Sequence, residues 1–223
     1  MDISGARYII RFLKSRGVEV VTGIPGGSIL PLYDALAQEG GIRHVLARHE
    51  QGAGFMAQGM ARLTGAPGVC LATSGPGATN LITAIADARR DSVPLVCLTG
   101  QVPLGMIGTE AFQEVDIVAL VSSITKLAQR VDDARDLPKA LARAFDAATE
   151  GRPGPVLLDL PKDVQSQMFP DPGAPSAPAT PAQRAPAAWD AARAAAMLNA
   201  AKRPVMLLGG GAARPDAARA ARA

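Results

Sequence analysis

The sequence predicts an α/β protein: a doubly wound, six-stranded parallel sheet, followed by the start of a second α/β domain. Three observations predict it. Apolar runs of strand length alternate with segments of helical length and period. The runs are mostly continuous rather than alternating, as in strands buried on both faces of a sheet. Glycine-bearing turns follow several runs, at the strand ends where sheets of this kind place their sites.

Taken in order, Ile3–Arg16 spaces its apolar residues as a helix, and Gly17 stands where a left-handed residue closes one. Val18–Thr22 reads as a strand, Ser28–Gln38 as a helix, and Arg43–Ala47 as the next strand. Gln51–Leu63 is helical, Val69–Thr73 a strand, Ala78–Arg89 a helix and Leu95–Thr99 a strand. Gln101–Gln113 has no clear period and reads as a loop. Leu127–Val131 is a strand, Ala134–Thr149 a helix that Asp132 or Asp133 can cap, and Val156–Leu160 the last strand. Right-handed crossovers follow from this alternation.

These elements make residues 1–169 one domain. Residues 170–188, rich in proline and alanine, read as a semi-extended linker. Within 189–223, Trp189–Lys202 reads as a helix and Pro204–Gly211 as a strand entering a glycine turn, before the opening of a further helix. So short a stretch has too little apolar area to fold alone, so the chain is expected to stop inside its second domain.

Composition narrows the function. The net charge of +3 is small for 223 residues and the Lys and Arg are scattered, which argues against nucleic acid as a partner. No run approaches the roughly 20 apolar residues that cross a bilayer. The start, MDISGARYIIRFLKSRG, lacks the basic n-region, apolar core and cleavage site of a signal peptide. Cys70 and Cys97 sit in the apolar runs GVCLA and LVCLT without ligand spacing, so they read as buried reduced thiols of a cytoplasmic protein. His44 and His49 have no cysteine or second carboxylate at ligand spacing, and no metal site is predicted.

The chemistry concentrates in Arg48–Met60, RHEQGAGFMAQGM, where Glu50 stands at the mouth of a helix rich in glycine and alanine. On position alone, an acid in the first turn needs no function, because the helix dipole favours it there. Gly52, Ala53, Gly54 and Ala57, however, strip bulk from the helix beside the acid, so that a flat ligand could approach. The turns Gly23–Ser28 and Thr73–Asn80 could close around it, and a lone acid so placed can exchange a proton with a bound heterocycle. The Ser74–Gly77 turn is neither a P-loop nor GxGxxG; unaided, it reads as a tight connection or a phosphate nest.

Together these segments resemble the pyrimidine-binding domain of the thiamine-diphosphate enzymes, and most closely the large catalytic subunits of acetolactate synthase (acetohydroxyacid synthase). The resemblance runs from Ile3 to about Gly211 through GIPGGSILPLYDAL, LARHEQGAGFMAQGMAR, SGPGATNLITAIADA, IGTEAFQEVDIV, GRPGPV and LPKDVQ. It implies that Glu50 hydrogen-bonds N1′ of the cofactor's aminopyrimidine and so promotes loss of the C2 proton of the thiazolium, the cofactor carrying the difficult chemistry. It also implies that Pro76 and Asn80 lie against the pyrimidine, and that Gly26 and Gly27 face the thiazolium from a neighbouring subunit. Ile24 departs from the tyrosine of some members.

By the same resemblance Gln113 is a catalytic-site glutamine, and Val102, Pro103, Ala111 and Phe112 form an apolar wall of the substrate channel. Lys162 stands near its entrance and Arg152 contacts FAD; read without the resemblance, both are ordinary solvated cations. The implied reaction decarboxylates pyruvate and joins the hydroxyethyl unit to pyruvate or 2-ketobutyrate, in branched-chain amino acid biosynthesis. The implied partners are these 2-ketoacids, a second copy of the chain met through the pyrimidine domain, and a regulatory small subunit. The family's Gly-Asp-Gly motif for Mg2+ and diphosphate does not occur, so the metal ligands are not in this chain and it is expected to be inactive alone. Glyoxylate carboligase is similar here but lacks the glutamate. Another thiamine-diphosphate decarboxylase or carboligase, or a non-catalytic interaction module derived from one, is the alternative.

Overall fold

A computed structural model of the chain describes residues 1–175, 187–213 and 215–222. In chain order the first elements are β1 (Asp2–Ser4), α1 (Gly5–Ser15), β2 (Val20–Gly23), α2 (Leu30–Glu39), β3 (Arg43–Leu46), α3 (Glu50–Thr64), β4 (Gly68–Ala72), α4 (Pro76–Thr79) and α5 (Ile82–Asp91). There follow β5 (Leu95–Gln101), α6 (Ile117–Val121), β6 (Leu127–Arg130), α7 (Leu137–Thr149), β7 (Pro155–Pro161), α8 (Lys162–Ser166), β8 (Met168–Pro170), α9 (Ala188–Ala200) and α10 (Pro215–Arg222). Contacts divide the chain into two units, Met1–Pro181 and Ala182–Ala223. Most of the linker predicted at 170–188 falls on 176–186, outside the described residues.

All six predicted strands form one parallel sheet in the order β3-β2-β4-β5-β7-β6. Every residue of β4, β5 and β7 is buried, whereas the edge strands β3 and β6 are partly open. Successive side chains of a strand point to opposite faces, so each central strand feeds two cores. Val69, Leu71, Val96, Leu98, Val156, Leu158 and Leu160 pack with Ile9, Phe12 and Leu13 of α1, Leu32 of α2 and Leu141 and Phe145 of α7. On the other face, Cys70, Ala72, Leu95, Cys97 and Leu157 pack with Ala57 and Ala61 of α3, Ile85 and Ala88 of α5, and Ile117 and Val121 of α6. The predicted buried thiols are there, Cys70 and Cys97 being directly opposed with Sγ atoms 3.4 Å apart.

Local chemistry sets the boundaries. The first helix begins two residues later than its apolar period suggests, because Asp2–Ser4 pairs antiparallel with Met168–Pro170. Ser4 Oγ then caps α1 by accepting from the Arg7 amide at 3.3 Å, and Gly17 takes the left-handed φ of 72° at its end. The helix predicted over Ala78–Arg89 is two, since the Leu81 amide bonds the carbonyl of Ala78 and breaks the four-residue ladder. Asp133 accepts from the Arg135 amide at 2.8 Å and caps the turn that leads into α7. The short helices α6 and α8 were not predicted; Asp116 caps the first through the Ala119 amide at 3.0 Å.

The second unit holds the predicted helix, α9, with Trp189 exposed. The strand predicted at Pro204–Gly211 is not formed: residues 204–209 are irregular and Gly210–Ala213 make a 3-10 turn. A strand needs a neighbour for its backbone groups, and among the described residues of this unit there is none.

Helix α3 contains an internal control on how glycine is used. A Cβ on Gly54 would lie 2.6 Å from Cβ of Ala84 on α5, whereas a Cβ on Gly59 meets nothing within 4 Å. Gly59→Ala should therefore stabilise by about 0.5–1 kcal/mol through helix propensity. Gly54→Ala should lose that gain to overpacking of ~1–3 kcal/mol and destabilise on balance. Urea denaturation of the two variants checks the opposite signs.

Candidate active site at the carboxyl edge of the sheet

The strand order places a crevice between β2 and β4. From β2 the chain winds outward through α2 to β3, then returns through α3 to β4 on the other side of β2. The connection after β2 leads to one face of the sheet and that after β4 to the other, so the two turns diverge at their carboxyl ends. Such a switch point is where open α/β sheets bind ligands. The three segments singled out in the sequence meet here: Gly23–Ser28 follows β2, Glu50 follows β3, and Thr73–Asn80 follows β4.

Thr73 knits the two turns together. Its Oγ1 accepts from the Ser28 amide at 3.2 Å, and Ser28 Oγ lies 2.9 Å from Ser74 Oγ. A Cβ on Gly26 would come within 2.5 Å of the Thr73 side chain. The Ser28 carbonyl accepts from Nε2 of Gln165, which also donates to the Leu160 carbonyl, at 2.8 and 2.7 Å. Gly27 and Pro76 are exposed at the rim.

Glu50 opens α3, only 9% exposed. The preceding His49 caps the helix, its Nδ1 accepting from the Gln51 amide at 3.1 Å. Asn80 Nδ2 donates to Glu50 Oε2 at 2.8 Å and is the one recorded donor to that carboxylate among the described residues. Oε1 faces Gly77, where an added Cβ would lie 3.4 Å from it. Behind the acid, Tyr33 Oη and His44 Nε2 are 3.2 Å apart. Burial, with smaller contributions from Cys70 and Glu50, pushes the Tyr33 hydroxyl far above its usual range, and burial holds His44 below its own. Both are therefore neutral near pH 7, and the pair puts no competing charge beside Glu50.

One expectation about α3 is corrected. Ala53, Gly54 and Ala57 do not clear a path for a ligand; they are buried against the sheet and α5, and Gly54 is small because Ala84 is close. Gly52 alone of the four is open.

Of the predicted Gln101–Gln113 loop, Gln101 belongs to β5 and the remainder is a loop with a 3-10 turn at Leu104–Met106. Glu114 organises it, accepting from the amides of Gly108 and Ala111, which draws its carboxyl below the usual range. The loop reaches the crevice through Gln113, which has φ of 60° and packs on Gly75: a Cβ there would lie 2.7–2.8 Å from Gln113 atoms. Val102 is buried, Pro103 and Ala111 are half-buried, and Phe112 is 87% exposed. Lys162, exposed at the carboxyl end of β7, shares this edge, and its neighbour Asp163 accepts from the Leu104 amide.

Arg152 is not brought to this place. It precedes β7, at the amino edge of the sheet, and donates to Ser92 Oγ at 2.7 Å and to the Arg90 carbonyl at 2.9 Å at the end of α5.

Sequence reading missed the buried polar cluster under the loop. Asp159 on β7 is 2% exposed and accepts from Thr99 Oγ1 at 2.7 Å and Gln101 Nε2 at 2.9 Å. The available signal was a lone acid inside the otherwise apolar run PVLLDLP.

The fold and crevice define a doubly wound domain with a buried carboxylate and glycine turns at its switch point. Residues 3–120 match the family described as thiamine pyrophosphate enzyme, N-terminal TPP binding domain. The chain belongs to that family. It is 58% identical over 208 residues to the acetolactate synthase isozyme 1 large subunit of Escherichia coli K12, which covers 93% of this chain and 37% of that protein. It is 49% identical over 217 residues to the acetolactate synthase large subunit of Corynebacterium glutamicum, covering 96% of this chain and 35% of that protein. The chloroplastic acetolactate synthase of Arabidopsis thaliana is 54% identical over 164 residues, 74% of this chain and 24% of that protein. The chain thus spans about a third of the length of the first two relatives.

Burial raises the Asp159 carboxyl from 3.8 to about 7, against the opposing hydrogen bonds of Thr99 and Gln101. The folded chain thus holds this proton more tightly than the unfolded one. The penalty for charging it is absent below pH 4 and complete above about 7, so stability falls as pH rises through that window. Measured by urea denaturation, wild type should lose up to roughly 4 kcal/mol relative to Asp159→Asn between those limits. A pH-independent difference would place the proton elsewhere.

Proposed function

We propose that this chain supplies the pyrimidine side of an acetolactate synthase active site. The Glu50–Asn80 pair in the switch-point crevice is the observation that carries the reading. Asn80 occupies Oε2, leaving Oε1 to face a ring nitrogen. These residues fit the aminopyrimidine of thiamine diphosphate. When bound, that cofactor supplies the electron sink needed to cleave a bond next to a carbonyl. Glu50 holds and moves the proton at N1′, Asn80 fixes the carboxylate, and Pro76 flanks the ring. Gly26 and Gly27 present a low rim to the reacting carbon of a neighbouring subunit, which makes a homo-oligomer part of the proposal.

Gln113 hydrogen-bonds the substrate, between an apolar wall of Val102, Pro103, Ala111 and Phe112, and Lys162 draws in the 2-ketoacid anion. The substrates are pyruvate and, as second acceptor, pyruvate or 2-ketobutyrate, in a cytoplasmic branched-chain pathway with a regulatory small subunit. For FAD, Arg152 spends Nε and Nη2 on the end of α5, leaving Nη1 to offer a bound flavin nucleotide. Among the described residues no group of three or more His, Cys, Asp or Glu side chains could hold a metal, so no step is assigned here to Mg2+. In domain terms, we assign the pyrimidine side to 1–169, a linker to 170–188 and the start of a central domain to 189–223.

Two experiments test this. The purified chain, given thiamine diphosphate, Mg2+ and FAD, should form no acetolactate. Adding a separately expressed diphosphate-side segment of a related large subunit should restore activity; binding without restoration would favour a non-catalytic interaction module. In that assembly Glu50→Gln should keep cofactor binding yet slow exchange of the cofactor C2 proton by about 10²- to 10⁴-fold. Normal exchange with slowed turnover would move Glu50 from proton transfer to substrate handling.

A further inference from the structure

We propose that Gln101, oriented by Asp159, is a positioning residue that fixes both ends of the Val102–Val115 loop and thereby sets Gln113 against the Gly75 turn. The relevance of Gln113 to catalysis rests on the function proposed above; the clamp itself does not.

The geometry is that of one carboxamide closing a loop. Gln101 ends β5, and its Oε1 accepts from the amide of Val102, the first residue of the loop, at 2.8 Å. Its Nε2 donates to the carbonyl of Val115, at the far end, also at 2.8 Å. The same Nε2 donates to Asp159 Oδ2 at 2.9 Å, while Thr99 Oγ1 holds Oδ1 at 2.7 Å. Thr99 and Gln101 lie two apart on β5 and share a face, and Asp159 is the register partner of Thr99 on β7.

Once ionised, Asp159 helps to make the arrangement one-way. A flipped carboxamide would aim Oε1 at two oxygens, those of Asp159 and Val115, and Nε2 at the Val102 N–H. Every contact would then pair like with like. An acceptor at position 159 thus reinforces the orientation that the Val102 N–H and the Val115 carbonyl already favour, and ties it to the sheet.

The loop's internal bonds give it shape but not placement. Glu114 gathers the Gly108 and Ala111 amides, and the Met106 and Ile107 amides close turns onto Pro103 and Leu104. All of these could move as a unit. What relates that unit to the crevice is the anchorage of its ends, the Leu104 side chain packed on the core and its amide bonded to Asp163, and the packing of Gln113 on Gly75.

Amide hydrogen exchange on this chain, resolved by peptide and run at about pH 8, where the Asp159 carboxyl is mostly ionised, tests the clamp with three variants. In Gln101→Met and Asp159→Leu, peptides within 102–115 should exchange about tenfold faster or more, as expected for losing hydrogen bonds to a charged group, while those of β4 and β5 hold. Asp159→Asn should keep the loop protected, because its Oδ1 can accept from Gln101 while its Nδ2 donates to Thr99 Oγ1. Unchanged exchange in Gln101→Met, or an Asn variant as loose as the Leu variant, would overturn the proposal. If Gln101→Met accelerates every strand and so reports global unfolding, Gln101→Asn replaces it, being polar but too short to reach Val115, and the same loop-only change is required. The measurement needs no cofactor or turnover. A clamp disproved this way leaves the proposed reaction standing, and an inactive reconstituted enzyme leaves the clamp standing.

Discussion

Burial of charge at one edge of a parallel sheet is the constraint on which the rest of this structure depends. β4, β5 and β7 are buried along their whole length, so their polar groups have water within reach only where the strands end. Two carboxylates nevertheless lie inside that edge, and the chain treats them differently. Asp159 receives donors on both oxygens from Thr99 and Gln101 and still has its carboxyl raised to about 7. Glu50 receives Asn80 on one oxygen, with Gly77 beside the other. A carboxylate saturated by the chain can organise the chain; one left half-served can organise a ligand.

The division follows from topology. At the first switch point, between β2 and β4, the turns diverge and leave the crevice that holds Glu50. The chain reverses again farther along the sheet, running from β5 past β7 to β6 and back. There the space between strand ends is filled by Asp159, Gln101 and the loop after β5. The filled switch point thus supports a wall of the open one, through Gln113 and Gly75.

The six strands were legible because each is a short apolar run and burial on both faces leaves such runs uninterrupted. Glu50 was legible because a lone acid opened a helix between two glycine turns. What the sequence hid was long-range. Asp2–Ser4 looks helical in its own neighbourhood and becomes a strand by pairing with Met168–Pro170. The small residues of α3 read as clearance for a ligand, while Ala84, thirty positions from Gly54, makes them clearance for a helix. Pro204–Gly211 has the composition of a strand, but composition does not supply a neighbour to pair with.

The contrast between Glu50 and Arg152 extends the same logic across the sheet. Successive parallel strands put every connection that enters a strand at one edge and every connection that leaves at the other. Glu50, Asn80, Gln113 and Lys162 all follow strands and share the carboxyl edge, whereas Arg152 precedes β7 and cannot join them without crossing the thickness of the domain. Its guanidinium instead closes the end of α5, where the helix dipole favours a cation. A group recognised by Arg152 must therefore approach from the opposite side to one recognised by Glu50. Any single ligand that touched both would have to span the sheet, so the two contacts proposed above, of Glu50 with an aminopyrimidine and of Arg152 with a flavin nucleotide, belong to two different ligands.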